Sequence, residues 1–233
     1  VDRFVSLCPQ YNEQIQGQLI DYARQTGEKI DQGTFPRKFA AIANPLLPAE
    51  EPTVCPKEKI VLFVGRFTHS DKRIDRLLRI WKQIEQKRSD WRLILVGDGI
   101  ERESLHRLAH RLNLQRIEFA GYRQDVAPFY RRASFICLTS SFEGFGMCLV
   151  EAQQYGCIPV AFDSYAAVHE IMQEGKSGIL VPPYDLKRYT EALLSAFDDQ
   201  DRQEQLRRNS YASAKRYELA AIGEKWLQLF AGL

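Results

Sequence analysis

Two glycines lie between two glutamates in the stretch Ser140-Ser141-Phe142-Glu143-Gly144-Phe145-Gly146-Met147-Cys148-Leu149-Val150-Glu151-Ala152. An apolar run at residues 133–138 precedes this stretch, and a helix-like pattern follows from Met147. The order predicts a strand, a glycine loop and a helix N-terminus, where free backbone N–H groups and the positive dipole end suit a phosphate. The two carboxylates would repel a phosphate and are better suited to accept hydrogen bonds from hydroxyl groups, as on sugars. The stretch therefore predicts a ligand that carries both phosphate and hydroxyl groups.

The carboxylates of Glu143 and Glu151 lie eight residues apart and allow other interpretations. A carboxylate pair is also the machinery of glycoside hydrolysis, although the Gly-Phe-Gly turn between the two glutamates fits anion binding better. Without a site, Glu151 would be a surface residue of the helix, and Glu143 would interact with the N–H groups of the first helical turn. The residues alone leave these alternatives open.

The composition is that of a soluble globular protein, with 45% apolar and 27% charged residues among 233. A net charge of +2 provides no general basic field for nucleic acid. The five cysteines contain no C-x-x-C pair and the four histidines have no metal-ligand spacing, which favours a reduced, cytosolic protein without a zinc framework. No apolar run approaches the roughly 20 residues that cross a bilayer. Because the first residue is Val, we expect the chain to be a piece of a longer protein.

Continuous apolar runs alternate with helical patterns after residue 58, which predicts a parallel sheet with helices on both faces. The predicted strands are 4–8, 39–43, 59–64, 91–96, 117–120, 134–138, 158–162 and 178–181. The predicted helices are 10–25, 74–84, 101–112, 125–132, 147–155, 168–174, 186–197, 201–217 and 220–230. Four prolines from Pro45 to Pro56 indicate a linker. We therefore predict one domain at residues 1–48 and another at residues 49–233.

Ligands of such sheets bind beyond the carboxyl ends of the strands. Every loop predicted at that edge carries glycine or charge; these loops are Gly65-Arg66, Gly97-Asp98-Gly99, Gly121-Tyr122-Arg123 and residues 140–146. Arg66 and Lys72 could clamp a diphosphate, the first bidentately and the second as a point charge. Taken alone, the two cations are interpreted as part of a solvated basic patch. The turn at 97–99 is interpreted as structural, with Asp98 or Gly99 near a helix N-cap at the rim of the cleft.

From about Ile60 to Phe230 the sequence resembles the retaining glycosyltransferase family 4, which has the GT-B fold. The resemblance rests on motifs in a fixed order. They are Val64-Gly65-Arg66 with Lys72, Leu95 to Gly99, Phe119 to Tyr122, Glu143-Gly144-Phe145-Gly146 through Glu151-Ala152, Gly156 to Val160, and Gly175 to Pro182. Each motif is weak by itself, and the ordered set is strong. The implied fold is α/β, a Rossmann-like parallel sheet that forms the C-terminal half of a GT-B enzyme.

The resemblance implies a role for each matching position. Arg66 and Lys72 would neutralise the donor diphosphate and help the nucleoside diphosphate leave, and Glu143 would contact the donor sugar. These three are the implied catalytic residues. Glu151 would bind the ribose hydroxyls. The other implied donor-binding residues are Gly65 and Gly97 at strand ends, Tyr122 and Arg123 beside the base, and Gly144, Phe145, Gly146, Met147, Cys148 and Leu149 through their backbone N–H groups.

The resemblance also implies the partners and the setting. The donor would be a nucleotide-sugar, a UDP-sugar in preference to a GDP-sugar, and no metal or other cofactor is expected. The acceptor would be a glycan or a lipid-linked glycan in cell-envelope polysaccharide synthesis, in the cytoplasm, with the full protein associated peripherally with the inner face of the membrane. Residues 1–48 would be a remnant of the acceptor domain and linker, and residues 49–233 the donor domain. Because most of an acceptor domain is missing, we expect this chain to bind the donor and turn over poorly.

Two departures and two alternatives accompany the resemblance. The family often has a Gly-Gly pair where this chain has Ser164-Tyr165-Ala166-Ala167, which leaves open how this loop meets the donor. The histidine that the family usually supplies from its acceptor domain is missing. A GT-B nucleotide-sugar epimerase is the alternative enzyme, and a non-catalytic nucleotide-sugar-binding module is the alternative without activity.

Overall fold

The structure is a computed structural model, and it describes residues 3–31, 35–48, 56–173 and 175–232. The chain divides into two compact units, one comprising Val1–Pro48 with Arg216–Leu233 and the other Ala49–Lys215. The boundary between Pro48 and Ala49 lies within the predicted linker. Residues 49–55 of that linker lie outside the described residues. The last helix, which the sequence prediction assigned to residues 49–233, is grouped with the smaller unit.

Strands and helices follow one another along the described residues much as the sequence predicted. The strands are β1 (Phe4–Ser6), β2 (Phe39–Ala41), β3 (Glu58–Val64), β4 (Arg92–Val96), β5 (Ile117–Gly121), β6 (Ala133–Leu138), β7 (Ile158–Phe162) and β8 (Ile179–Val181). The helices are α1 (Pro9–Thr26), α2 (Ile74–Glu85), α3 (Arg102–Arg111), α4 (Ala127–Arg132), α5 (Met147–Gln154), α6 (Ala167–Met172), α7 (Leu186–Asp198), α8 (Gln200–Ala214) and α9 (Leu219–Ala231). Short 3-10 helices occupy Phe35–Lys38 and Lys215–Tyr217.

The larger unit is built on a parallel sheet. Its described strands form a six-stranded sheet in the order β5-β4-β3-β6-β7-β8, and every neighbouring pair is parallel. All residues of β6 and β7 are buried, as expected for strands covered on both faces. Helix α2 packs on α3 and on α7, and α8 packs on α5 and α6. The Rossmann-like α/β prediction is therefore confirmed.

The strand order locates the crevice of this sheet. From β3 the chain adds β4 and β5 on one side, then crosses over to place β6 against the other side of β3. At such a reversal the loops that follow the two central strands diverge and leave a crevice at their carboxyl ends, where ligands of open α/β sheets bind. Residues 65–72 follow β3 and residues 139–146 follow β6. The fold therefore brings the two main predicted site segments to one crevice.

The smaller unit contains the remaining elements. Strands β1 and β2 pair in parallel, and α1 starts at Pro9, where a missing N–H costs nothing. Helix α1 ends at Gly27, which has a φ of 77°. The segment before the linker returns to this unit, since the N–H of Leu46 donates to the carbonyl of Tyr217 at 2.6 Å.

Within residues 3–31, 35–48, 56–173 and 175–232, no helix combines the length and the apolar character that crossing a membrane requires.

Candidate functional site

A cavity of about 250 Å³ opens at the carboxyl ends of β3, β4 and β5. It is lined by Val64, Gly65, Arg66, Val96, Gly97, Asp98, Tyr122, Arg123 and Val126. Tyr122 is 70% exposed and presents an aromatic face on which a planar ring can stack. The structure therefore brings together, in one cavity, five residues that the resemblance assigned to donor binding: Gly65, Arg66, Gly97, Tyr122 and Arg123.

The floor of this cavity is made by backbone in close contact. The N–H of Gly65 donates to Val96 at 3.1 Å, and the N–H of Gly97 donates to Gly121 at 2.9 Å. Gly97 has a φ of 141°, and a Cβ there would lie 1.9 Å from the carbonyl oxygen of Gly65. Since that distance is far below van der Waals contact, the two loops can approach only through a glycine at position 97.

The turn at 97–99 lies just before α3. Asp98 accepts a hydrogen bond from the N–H of Gly99 at 2.8 Å and from Arg102 at 3.3 Å. The N-cap residue of α3 is Glu101, so Asp98 and Gly99 lie near the N-cap without being it. Asp98 also lines the cavity.

Lys72 and Glu143 form an ion pair in the crevice between β3 and β6. The Nζ of Lys72 lies 2.7 Å from both carboxylate oxygens of Glu143, and the side chains are 15% and 7% exposed. The hydroxyl of Ser140 donates to Oε1 of Glu143 at 2.7 Å. The interpretation of Lys72 as part of a solvated basic patch is therefore wrong, because this side chain is paired with a buried carboxylate.

The pair adjoins the cavity, since the Cε of Lys72 lies 3.8 Å from where a Cβ of Gly65 would be. Arg66, by contrast, is exposed, and the described residues offer its guanidinium no hydrogen-bond or ion-pair partner. Arg66 can therefore turn toward an anion in the cavity without breaking a contact of its own.

Hydrogen bonds join the two loops that carry the pair. The N–H of Ser141 donates to the carbonyl of Asp71 at 2.7 Å, and the hydroxyl of Thr139 donates to the carbonyl of Arg73 at 3.0 Å. Arg76 donates to the carbonyl of Thr139 at 3.2 Å and to the hydroxyl of Ser141 at 3.0 Å. The segments after β3 and β6 thus form one rigid wall, so the positions of Lys72 and Glu143 are coupled.

The glycine turn leads directly into α5, as predicted. Gly146 is the N-cap residue with a φ of 97°, and no side chain caps this helix. The interpretation of Glu143 as a residue that interacts with the first-turn N–H groups stays open. The N–H groups of Met147 and Cys148 lie in the first turn, where they have no acceptor within the helix. This end of α5 is available to a phosphate or a hydroxyl group.

The loop that departs from the family pattern packs against the glycine turn. The hydroxyl of Ser164 donates to the carbonyl of Ser140 at 2.9 Å. The hydroxyl of Tyr165 lies 2.8 Å from where a Cβ of Gly146 would be. In this protein the segment that lacks the Gly-Gly pair therefore packs against residues 140–146.

Glu151 lies in the second turn of α5 and is only partly exposed. Its Oε2 accepts a hydrogen bond at 2.8 Å from the hydroxyl of Tyr130. The Cys148 thiol lies near both glutamates: burial raises its pKa, the charges of Glu143 and Glu151 raise it further, and Lys72 lowers it. Glu151 is thus a partly buried residue that accepts a hydrogen bond from a buried hydroxyl, and its assignment to the ribose stays a prediction.

We expect the Cys148 thiol to react slowly with disulfide reagents. Because its pKa is raised, the thiolate that reacts with a disulfide reagent is scarce. Burial also raises the pKa of Cys137 and Cys157, to about 12 in each case. In a Cys55→Ser background, we expect Ellman's reagent at pH 8 to label no thiol rapidly until denaturant is added. Rapid labelling of one native thiol would contradict the raised pKa of these thiols.

Sequence reasoning found the glycines and charged groups of the site but missed their supports. The sequence assigns no role to Ser140, Tyr130 or Tyr165. Nothing in the sequence marks Tyr130, which lies 21 residues from its partner Glu151. In the residues that the structure describes, no group of three or more His, Cys, Asp or Glu side chains could hold a metal ion. The expectation that no metal is needed stays a prediction.

Comparison with known proteins identifies the class. Residues 50–213 match the model of the family described as "Glycosyl transferases group 1". This match covers well over half of the chain, so the protein belongs to the group 1 glycosyltransferase family. The narrower assignment to family 4 is compatible with this match and stays a prediction.

Individual relatives agree with the family match. An uncharacterized glycosyltransferase of Haemophilus influenzae is 30% identical over 189 residues, which are 80% of this chain and 53% of that protein. The amylovoran biosynthesis glycosyltransferase AmsD of Erwinia amylovora is 31% identical over 175 residues, covering 73% of this chain and 47% of AmsD. The chain thus spans about half the length of these curated relatives.

A solved structure shares the fold. The pneumococcal O-GlcNAc transferase GtfA, in complex with UDP and GlcNAc, superposes with a TM-score of 0.83 at 21% identity. The superposition covers 98% of this chain and 44% of GtfA. The GT-B type of fold is therefore confirmed.

Proposed function

We propose that this chain is the donor-binding half of a retaining glycosyltransferase. The whole protein would transfer a sugar from a nucleotide-sugar to a glycan or lipid-linked acceptor in cell-envelope polysaccharide synthesis. The observation that carries this proposal is the arrangement at the carboxyl ends of β3 and β6. There the exposed Arg66 lines the cavity and the Lys72–Glu143 pair adjoins it through Gly65. The loop that carries Glu143 leads into the N-terminus of α5.

The arrangement offers a separate partner to each part of a nucleotide-sugar. The base would stack on Tyr122 beside Arg123, and the ribose hydroxyls would donate to Glu151. The diphosphate would lie against Arg66, Lys72 and the N–H groups at the start of α5. Glu143, the more deeply buried carboxylate, would accept hydrogen bonds from the donor sugar.

The same groups can assist departure of the nucleoside diphosphate. When the bond between the anomeric carbon and the diphosphate oxygen breaks, negative charge grows on the diphosphate. Fixed cations and a helix dipole that already point at this position stabilise the charge without reorganising. Lys72 is paired with Glu143, so a diphosphate would have to share this ammonium with the carboxylate.

Relatives support the finer parts of the proposal. GtfA was solved with UDP, and AmsD is named for amylovoran biosynthesis, which favours a UDP-sugar over a GDP-sugar and a polysaccharide product. We propose that the transfer needs no metal or other cofactor and that it occurs in the cytoplasm, at the inner face of the membrane. Residues 1–48 would then be the part of the acceptor domain present in this chain, and this chain alone would turn over poorly.

Calorimetric titration with UDP, GDP and ADP tests the donor assignment. We expect UDP to bind most tightly, and we expect Glu151→Ala to weaken UDP binding by about 1.5–3 kcal/mol, because it removes a hydrogen bond to a charged group. Glu191→Ala is the matched control, since Glu191 is a 58% exposed glutamate on α7. Absence of binding by all three nucleotides at millimolar concentration would overturn the proposal.

A further inference from the structure

Tyr130 is a buried residue of α4 whose hydroxyl reaches the candidate site. Its side chain is 1% exposed, and the hydroxyl donates to Oε2 of Glu151 at 2.8 Å. A buried hydroxyl needs a partner, and a backbone carbonyl would have satisfied it. Here the partner is a carboxylate of the site, so the contact links α4 to the ligand-binding side of α5.

Three contacts fix where this hydroxyl lies. The Nζ of Lys57 donates to the carbonyl of Tyr130 at 2.8 Å and to the carbonyl of Tyr155, the C-cap residue of α5, at 2.7 Å. The rings of Tyr130 and Tyr155 stack with centroids 6.1 Å apart and an interplanar angle of 13°. One ammonium thus ties the carboxyl ends of α4 and α5 together, and the tyrosine cannot shift without disturbing both helices.

The direction of the hydrogen bond is also fixed. Burial raises the pKa of Tyr130 well above its ordinary value, and the negative charge of Glu151 raises it further. The phenol therefore remains protonated and acts as the donor, while the carboxylate acts as the acceptor. The described residues provide no hydrogen-bond partner for Oε1 of Glu151, so this oxygen is available to a ligand.

We propose that Tyr130 is a positioning residue that holds the carboxylate of Glu151 in one orientation and thereby sets the preference of the site for ribonucleotides. A carboxylate free to rotate would spread its oxygens over several directions, whereas one held at Oε2 keeps Oε1 aimed at a single point. The inference rests on the proposed function, because it takes the ribose hydroxyls as the ligand of Glu151. It adds the residue that makes this contact selective.

The test compares UDP with 2′-deoxy-UDP by calorimetry on the wild type and on Tyr130→Phe. We expect the wild type to bind UDP more tightly than 2′-deoxy-UDP. In the variant we expect the ratio of these two affinities to fall roughly three- to tenfold, because UDP binds more weakly. Tyr189→Phe is the matched control, because it removes another buried tyrosine hydroxyl, which donates to the carbonyl of Val160. This control is expected to keep the wild-type ratio of the two affinities.

A ratio in Tyr130→Phe equal to that of the wild type would overturn the inference while leaving the proposed function intact, provided that UDP binds and Glu151→Ala weakens it. If the wild type binds no nucleoside diphosphate, the proposed function fails and the inference with it.

Should Tyr130→Phe not fold, Glu151→Gln carries the same test. If Tyr130 donates to the amide oxygen of the substituted side chain, the NH₂ group faces the ribose. The affinity for UDP then falls to about that for 2′-deoxy-UDP. A side chain that was not held could turn its oxygen toward the ribose, and a retained ratio would contradict the proposal.

Discussion

Replacing Lys72 by methionine is expected to lower the free energy of unfolding by about 3–5 kcal/mol. The ammonium lies 2.7 Å from both oxygens of Glu143, and the two side chains are 15% and 7% exposed. Without Lys72 the carboxylate of Glu143 would stay buried and lose the cation that now compensates its charge. Denaturation by urea, followed by circular dichroism, measures the change.

A double variant separates stability from binding. Lys72→Met combined with Glu143→Gln leaves no uncompensated charge, so we expect most of the lost stability to return. UDP binding is expected to stay weak because the cation is absent. Lys59→Met is the matched control, because Lys59 pairs with Asp90 on the surface, where the side chains are 61% and 42% exposed. An exposed pair of this kind contributes about 0–1 kcal/mol. If Lys72→Met costs no more than Lys59→Met, the pair is not the buried contact described above.

Gly97→Ala is expected to have the second large effect. The added Cβ would lie 1.9 Å from the Gly65 carbonyl oxygen, and the backbone φ of 141° disfavours any side chain. A strained backbone costs about 1–3 kcal/mol and overpacking about the same again, so we expect a loss of about 2–6 kcal/mol in the free energy of unfolding. The loops after β3 and β4 would also separate, which would open the cavity and weaken nucleotide binding.

Gly223→Ala is the matched control for this substitution. Gly223 lies within α9, and a Cβ there meets nothing within 4 Å. In a helix interior this change stabilises by up to about 1 kcal/mol. The same urea titration compares the two variants, and a Gly97→Ala protein as stable as Gly223→Ala would show that the two loops are not in backbone contact.

The sequence predicts the strands and helices well because the strands are continuous apolar runs bounded by glycine or charge. Leu93, Ile94 and Leu95 can lie only in the interior, and the loops that follow such strands must carry the polar groups. The crevice follows from this pattern together with the general behaviour of open parallel sheets. The family resemblance assigns individual roles, which stay predictions. The structure places Gly65, Arg66, Gly97, Tyr122 and Arg123 at one cavity.

The contacts within the site could not be predicted in the same way. Lys72 and Glu143 are 71 residues apart, and they meet because β6 crosses over to lie beside β3. In the sequence Lys72 resembles part of a basic helix face. The crossover places it beside the buried carboxylate of Glu143. Tyr130 lies on a six-residue helix with no periodic signal, and its contact with Glu151 depends on how α4 packs against α5.

Amide hydrogen exchange with and without saturating UDP tests the central claim most directly, because it reports where the nucleotide binds. We predict slower exchange in residues 65–72, 97–99, 121–126 and 140–149. A second cavity, of about 420 Å³ at the opposite edge of the sheet, provides an internal comparison; Glu58, Asp90 and Arg116 are among its lining residues. Exchange that is unchanged at the carboxyl edge, or slowed only around residues 58–60, 90–92 and 115–118, would contradict the account.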